Sequence, residues 1–215
     1  MALVVFDLDG TISRHDTLLA YLTGFLRQHR ARWPRMLLCV PALLGFVIGV
    51  VDRGLLKAAL MKAALGGSTR QAIDAWTAAY VSEFLTHGAF ADALTAITAH
   101  RDQGDTLVLM SASPDLYVPE IARRLGFTET ICTGVRWRGE RLDGALTTAN
   151  RQGPEKTRCF TELRARYPHV FTIAYANAAS DFEHLKLADE AWFINGSREL
   201  RREAEQAHFR CVTWR

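Results

Sequence analysis

The apolar positions of this chain fall into short runs that alternate with longer segments of helical periodicity. The short runs are typical of buried parallel strands and cover residues 4–6, 106–110, 129–132, 170–175, 191–194 and 208–212. Helical patterns, several opened by a capping residue or a proline, separate them, and residues 135–146 predict a β-hairpin. Strands that alternate with helices predict an α/β fold with a doubly wound, parallel, Rossmann-like sheet.

One long segment departs from this alternation because it has no strand signal. Asp16 is placed to cap a first helix, residues 54–65 predict another, and Gly66-Gly67 ends it. Ser68 with Gln71 then resembles a capping box that starts a helix ending near Gly88. We therefore expect residues 16–88 to form an inserted all-helical cap domain, and residues 1–15 and 89–215 to form the core.

Residues 36–51 have no charged side chain and follow a basic segment that contains Arg27, Arg30 and Trp33. The segment is shorter than the roughly 20 apolar residues that a membrane-spanning helix needs. Arginine and tryptophan beside an apolar segment also resemble an interfacial anchor. Three interpretations stay open, namely helices buried inside the cap, peripheral membrane contact through residues 27–51, and a true span.

Composition narrows the class of protein. The chain has 215 residues and a net charge of +3, and it shows no basic patch interleaved with aromatic residues, which argues against a nucleic-acid partner. Its four cysteines are far apart and form no CxxC pair, which favours reduced thiols. The apolar start is too short for a signal peptide. We expect a cytoplasmic protein, associated with the inner face of the membrane if residues 27–51 contact lipid. The sequence does not predict an oligomeric state.

The first strand ends in Asp7-Leu8-Asp9-Gly10-Thr11. Carboxylates at the carboxyl end of a parallel strand lie where α/β proteins bind ligands. Asp7 and Asp9 are placed to share a divalent cation while one of them attacks an electrophile. The structural alternative is an Asx-turn, since Asp and Gly are ordinary turn residues.

Three later segments stand at or just beyond a predicted strand end or helix start: Ser111-Ala112-Ser113, Lys156, and residues 177–181. Together with the opening motif, and in this order, they resemble the haloacid dehalogenase superfamily of phosphohydrolases. The resemblance covers essentially the whole chain, including the position of the helical cap after the first motif. Each later segment also has an ordinary structural explanation when taken alone.

This resemblance implies an Mg²⁺-dependent phosphomonoester hydrolase. Asp7 would be the nucleophile that forms an aspartyl-phosphate, and Asp9 the general acid and base. Lys156 would neutralise developing charge, and Thr11, Ser111 and Ala112 would belong to the phosphate-binding set. The resemblance further implies that Mg²⁺ binds Asp7, Asp9 through its carbonyl, Asn177 and Asp181.

The last motif departs from the family pattern. Its usual Gly-Asp pair is replaced by Ala176-Asn177, so that an amide stands where a carboxylate is expected. Asn177 offers an oxygen but no negative charge, which predicts activity with weaker metal affinity.

The identity of the substrate stays open at this point. Phosphoserine phosphatases share the cap position and the serine and lysine motifs, and His15-Asp16 with Lys57 or Lys62 are the nearest candidates to hold an amino acid. Phosphatidylglycerophosphatase C enzymes are similar in placing basic and Leu-rich segments after the first motif. The substrate is therefore either a small soluble phosphomonoester or a lipid phosphate such as phosphatidylglycerophosphate. The alternative of another class is a non-catalytic module that binds phosphate or a partner and has a decayed metal site.

Overall fold

The strands are short and apolar, and the computed structural model describes all 215 residues of the chain. They are β1 (Leu3–Phe6), β2 (Thr106–Pro114), β3 (Glu129–Thr133), β4 (Val135–Arg138), β5 (Arg141–Leu146), β6 (Thr172–Ala176), β7 (Glu190–Ile194) and β8 (Arg210–Val212). Six of them form one parallel sheet in the order β3-β2-β1-β6-β7-β8. The order runs outward from β1 in both directions, so the predicted doubly wound α/β sheet is confirmed.

Burial on both faces explains why β1 is apolar throughout. Successive side chains of a strand point to opposite faces, so Val4 and Phe6 enter one core cluster while Leu3 and Val5 enter a second. Helices cover both faces of the sheet, which leaves β1 as its buried centre.

The helices, in chain order, are α1 (Thr17–Gln28), α2 (Val40–Val47), α3 (Arg53–Leu65), α4 (Arg70–Glu83), α5 (Ala91–Asp102), α6 (Val118–Leu125), α7 (Pro154–Arg166), α8 (Phe182–Leu185) and α9 (Arg198–Gln206). Short 3₁₀ segments, Arg30–Cys39 and Ala179–Asp181, and a π-turn, Phe84–Gly88, add to them. Helices α1 to α4 all lie between β1 and β2, as the sequence predicts. That this helical insertion is a separate cap domain bounded by residues 16 and 88 stays a prediction.

A cluster of aromatic rings joins the insertion to the core. Tyr21 of α1 packs against Trp76 and Tyr80 of α4 and against Tyr117, which precedes α6. The Tyr80 hydroxyl donates to the carbonyl of Thr17 at 3.0 Å. Since buried tyrosines need a partner for their hydroxyl groups, these bonds fix how α1 and α4 meet.

The hairpin formed by β4 and β5 is docked against the insertion. Gly67 N donates to Leu142 O at 2.8 Å, and Leu142 N donates to Ser68 O at 3.0 Å. A Cβ on Gly144, which has a φ of +88°, would come within 2.8 Å of the Lys62 backbone nitrogen. The hairpin therefore approaches the C-terminal end of α3 so closely that only glycine fits there.

The observed N-cap residue agrees with the sequence pattern at α1 and α9 but differs from the predicted one at α4. Asp16 caps α1 by accepting from Leu19 N at 2.8 Å, and Ser197 caps α9 as expected. The cap of α4 is Thr69, not Ser68, because the Thr69 hydroxyl accepts from Ala72 N. Strand β2 continues through Pro114, and α6 starts at Val118.

Residues 36–51 fold as part of the first 3₁₀ segment followed by α2. Most of these residues are not buried inside the insertion, contrary to the first interpretation, because within these two elements only Cys39 and Gly45 are buried. A membrane-spanning helix is also excluded, since the fold contains none with the length and apolar character that crossing a bilayer requires.

Candidate active site

The predicted site residues converge where the winding of the sheet reverses, between β1 and β6. Asp7 and Asp9 follow β1, whereas Asn177 and Asp181 follow β6. Asp7 N donates to the carbonyl of Tyr175 at 2.9 Å, which continues the pairing of the two strands. Carboxyl ends of adjacent parallel strands meet at one edge, and this reversal point is where such sheets bind ligands.

Lys156, in the first turn of α7, joins two buried carboxylates. Its Nζ donates to Asp7 Oδ1 at 2.6 Å and to Asp181 Oδ1 at 2.9 Å. All three side chains are withdrawn from water, with exposures of 3% for Lys156, 8% for Asp7 and 5% for Asp181. Charged groups are buried in this way only when they are paired.

Burial and mutual pairing shift the pKa values of Asp7 and Lys156. Burial raises the pKa of Asp7 to about 7, although the Lys156 ammonium opposes this rise. Burial disfavours the charge on Lys156, but Asp7 and Asp181 outweigh it and raise the lysine pKa. Lys156 therefore stays protonated and offers a permanent positive charge beside Asp7.

Asp9 is held by neutral donors. Its Oδ1 accepts from the backbone and hydroxyl of Thr17 at 2.7 and 2.6 Å, and its Oδ2 accepts from Ser113 Oγ at 2.7 Å. Burial raises the pKa of Asp9, while these hydrogen bonds act against the rise. Burial thus raises the pKa of both carboxyls, and they differ in that only Asp7 is paired with an ammonium. A carboxyl with a raised pKa and no cationic partner is suited to donate a proton.

Thr11 and Ser111 lie behind the pocket wall and are fully buried. The Thr11 hydroxyl donates to Asp7 Oδ2 at 3.3 Å. Ser111 Oγ accepts from Ser113 N at 3.0 Å, which leaves its proton free for donation. Ala112 lines the pocket itself. The fold thus places these three residues near Asp7, whereas their roles in binding phosphate stay predictions.

Asn177 packs against the turn that follows Asp9. Gly10 has a φ of +77°, and a Cβ there would come within 1.9 Å of Asn177 Nδ2. Glycine is therefore required at position 10 both by backbone conformation and by the approach of this side chain. The Asn177 amide consequently lies beside the motif that carries Asp7 and Asp9.

The donor set fits a hard divalent cation. No three His, Cys, Asp or Glu side chains cluster so as to hold an ion by themselves. Asp7, Asn177 and Asp181 line one pocket, however, and supply carboxylate and amide oxygens, which Mg²⁺ prefers. Asp7, Asp181 and Lys156 together carry a net negative charge when ionised, which a cation would offset.

The insertion contributes a basic residue to the pocket. Lys57 of α3 donates to the Ala112 carbonyl and to Asn150 Oδ1. Burial lowers its pKa to about 8. Lys62, the other candidate weighed from the sequence, is exposed. Apolar periodicity alone could not decide between two lysines five positions apart on one helix.

The pocket around Asp7 has a volume of 310 Å³ and opens toward a larger groove of 750 Å³. Arg53, Asn150, Gln152 and Ser180 line both spaces. The groove runs between α3 and residues 145–154 and is otherwise lined largely by small and apolar side chains. Sequence reasoning missed this groove because its two walls are about ninety residues apart in the chain.

The chain is similar to several known proteins. Protein CicA of Caulobacter vibrioides is 35% identical over 191 residues, which cover 87% of this chain and 83% of CicA. A probable phosphatase of Mycobacterium tuberculosis is 28% identical and is matched over 93% of this chain and 70% of its own length. A probable phosphoserine phosphatase from Vibrio cholerae superimposes with a TM-score of 0.74 at 12% identity, covering 98% of this chain and 59% of that structure, which supports the fold.

The fold defines a doubly wound α/β protein with carboxylates at the point where the sheet reverses. More particularly, the chain belongs to the haloacid dehalogenase-like hydrolase family, whose model matches residues 4–186. The prediction of an enzyme of this superfamily, of the phosphatase type, is confirmed.

Proposed function

We propose that the protein is an Mg²⁺-dependent phosphomonoester hydrolase that acts through an aspartyl-phosphate on Asp7. The observation that carries this proposal is the contrast between two carboxyls at the end of β1. Burial raises the pKa of both, but Asp7 is paired with the Lys156 ammonium, whereas Asp9 is surrounded by neutral donors. One is suited to attack, and the other to carry a proton.

In the first step, a carboxylate oxygen of Asp7 attacks phosphorus. The new oxygen–phosphorus bond forms as the bond from phosphorus to the leaving alcohol oxygen breaks, and Asp9 gives that oxygen its proton. Lys156 stabilises the charge that develops on the phosphoryl oxygens. The products of the step are the free alcohol and phosphorylated Asp7.

In the second step, Asp9 is a carboxylate and removes a proton from water. The water oxygen attacks phosphorus, the bond to Asp7 breaks, and inorganic phosphate leaves. Asp7 and Asp9 return to their starting states, so that one water is consumed for each alcohol and phosphate released.

Magnesium would be held by the Asp7 and Asp181 carboxylates, the Asn177 amide oxygen and the Asp9 carbonyl. When bound, it would screen the repulsion between an anionic nucleophile and an anionic phosphate. Asp181 Oδ2 has no hydrogen-bond donor within the protein, which leaves it available for such a cation.

Two classes of substrate are consistent with the pocket, namely a small soluble phosphomonoester or a lipid phosphate such as phosphatidylglycerophosphate. Its 310 Å³ accommodate a phosphate with a small alcohol, and the adjoining groove extends the room for a larger leaving group. Structural relatives include phosphoserine phosphatases, which favours the first class. A cytoplasmic location, with or without contact to the inner face of a membrane, stays a prediction.

The test measures inorganic phosphate released with Mg²⁺ and with EDTA. Phosphatidylglycerophosphate in mixed micelles, O-phosphoserine and an aryl phosphate are compared, with Asp7→Asn as the inactive variant. Asp74→Asn, which alters an exposed aspartate, is its matched control. We expect turnover that EDTA and Asp7→Asn each abolish, and an acid-quenched wild-type peptide that carries a phosphoryl group on Asp7.

Release that survives in Asp7→Asn would overturn the aspartyl-phosphate mechanism. Absence of release from every substrate in the folded wild type, with phosphate still bound, would instead support a non-catalytic phosphate-binding module with a decayed metal site.

A further inference from the structure

The surface of the insertion carries a concentration of exposed large apolar side chains. We call residues 36–51 the apolar tip. Eight of its side chains are between 40% and 74% exposed: Leu37, Leu38, Val40, Leu43, Leu44, Val47, Ile48 and Val50. Single exposed apolar residues are ordinary, but a contiguous group on one element marks a surface that contacts another phase or molecule.

The tip is held in this exposed position by polar contacts on its inner side. Arg35 donates to the Gly66 carbonyl at 2.9 Å, and Arg32 donates to the same carbonyl at 3.1 Å. These guanidinium groups satisfy the carboxyl end of α3, where helix carbonyls lack partners. Val51 packs over Gly45 at the other end of the tip. The outer apolar face is therefore presented by a segment that is anchored from behind.

The charges that precede the tip in the chain are all of one sign. Between Asp16 and Asp52 the chain has no acidic residue, but it has four arginines. Arg27 and Arg30 are exposed and make no hydrogen bond or ion pair within the protein. Trp33, 48% exposed, lies between them and the tip in the chain. An apolar face bordered by free cations and a tryptophan is complementary to an anionic membrane interface.

We propose that the apolar tip docks the protein onto an anionic lipid bilayer as a peripheral, interfacial element. Its helix α2 has eight residues, about 12 Å of length, and so reaches only part of the way into a hydrocarbon core of about 30 Å. Side chains inserted to the headgroup boundary and arginines on anionic headgroups then bind together.

A second copy of the chain fits this surface less well. A symmetric dimer places the same patch on both sides of the contact, so the arginines of both copies would border one interface. No carboxylate between residues 17 and 51 is available to pair with them. Charge complementarity thus favours anionic lipid over self-association.

The location of the tip gives this docking a direction. Asp52 and Arg53, which follow the tip directly, line the mouth of the 750 Å³ groove, and Arg53 also lines the pocket of Asp7. When the tip is docked, the groove therefore lies close to the lipid surface. The docking itself does not depend on the proposed reaction; only the inference that the groove then admits an amphiphilic phosphomonoester rests on it.

The test measures co-sedimentation of the protein with vesicles of phosphatidylcholine, with and without phosphatidylglycerol, at low salt. We expect binding to the anionic vesicles only. Arg27→Gln with Arg30→Gln should weaken it about 30-fold, because each arginine near the surface contributes about fivefold. Val47→Asp with Ile48→Asp should abolish it.

Two matched controls use residues far from the tip in the sequence. Arg198→Gln with Arg202→Gln removes two exposed, unpaired arginines of α9, and Phe171→Asp alters an apolar side chain that is 52% exposed. Both controls should bind anionic vesicles like the wild type. Hydrolysis of a soluble aryl phosphate, or a cooperative thermal transition if none is hydrolysed, verifies that every variant is folded.

Wild-type protein that ignores anionic vesicles, or tip variants that bind like the wild type, would overturn the proposal. Concentration-dependent self-association lost in Val47→Asp with Ile48→Asp, without lipid binding, would assign the surface to a second copy instead. Because binding is read without turnover, an inactive enzyme that still binds vesicles would refute only the catalytic proposal.

Discussion

The pocket of Asp7 and the apolar tip depart from ordinary burial in opposite directions. In the pocket, two carboxylates and an ammonium are withdrawn from water. On the tip, eight large apolar side chains face water. Each arrangement costs free energy that a purely structural protein would avoid. The tip belongs to the helical insertion, and the insertion also supplies Lys57 to the lining of the pocket. Buried charged side chains and exposed apolar side chains therefore both indicate where a protein of this kind contacts other molecules.

The largest expected effect comes from breaking the buried charge. Lys156→Met leaves Asp7 and Asp181 without a counter-charge and should lower the free energy of unfolding by about 3–5 kcal/mol. The loss should be smaller at about pH 5 than at about pH 8, because Asp7, with its pKa already raised, takes up a proton as the pH falls. Denaturant unfolding at the two pH values measures both.

Lys186→Met is the matched control for this prediction. Lys186 pairs with Glu183 on the surface, so its loss should cost about 0.5 kcal/mol or less. Equal losses for the two lysines would contradict the view that the pocket depends on Lys156.

The next effect concerns the lysine that the insertion places in the pocket. Lys57→Met should raise KM about tenfold while changing kcat less, because a charge-assisted hydrogen bond to substrate is lost. In the wild type, KM should rise as the pH passes about 8, where Lys57 loses its proton. Steady-state kinetics across this range should show a flatter KM profile in Lys57→Met. Lys62→Met, on the exposed side of the same helix, should behave like the wild type.

A smaller effect is expected at the amide beside the first motif. Asn177→Asp adds a negative charge to the oxygen donors and should lower the Mg²⁺ concentration for half-maximal rate several-fold. Titration of activity with Mg²⁺ measures this, with Asn195→Asp as a distant control. An unchanged or higher requirement would count against Asn177 as a ligand.

The smallest effect on stability belongs to the tip. Ile48→Asp should change the free energy of unfolding by about 0.5 kcal/mol or less, since the side chain is already 73% exposed. Ile73→Asp, the same substitution at a buried position of α4, should cost about 4 kcal/mol or more. Similar losses in thermal or denaturant unfolding would show that the tip is packed in solution, and would blur the contrast with the pocket.

The sequence predicted the sheet well because buried parallel strands carry an unambiguous apolar signal, as at Val4 and Val5. It placed Asp7 and Asp9 for the same reason, since they end such a strand. Lys156 carried no local signal, and only the order of motifs pointed to it. Lys57 could not be separated from Lys62, because which face of α3 meets the pocket is set by packing with the core.

Three other local features could not be predicted from the pattern of apolar and polar residues. An apolar segment such as residues 36–51 reads alike whether it packs inside or faces lipid, so its exposure had to come from the fold. Ser68 and Thr69 are equally good caps, and tertiary contacts of the hairpin selected Thr69. The extension of β2 to Pro114 depended on its pairing with β3.

The docking of the β4–β5 hairpin on the insertion also determines how the chain divides into parts that can fold alone. In sequence the hairpin belongs to residues 89–215, but Leu142 exchanges its backbone hydrogen bonds with Gly67 and Ser68. A two-stranded hairpin is only marginally stable without such support. Deleting residues 16–88 would therefore remove the backbone partners of Leu142, and we expect the remaining residues to be less stable without the insertion.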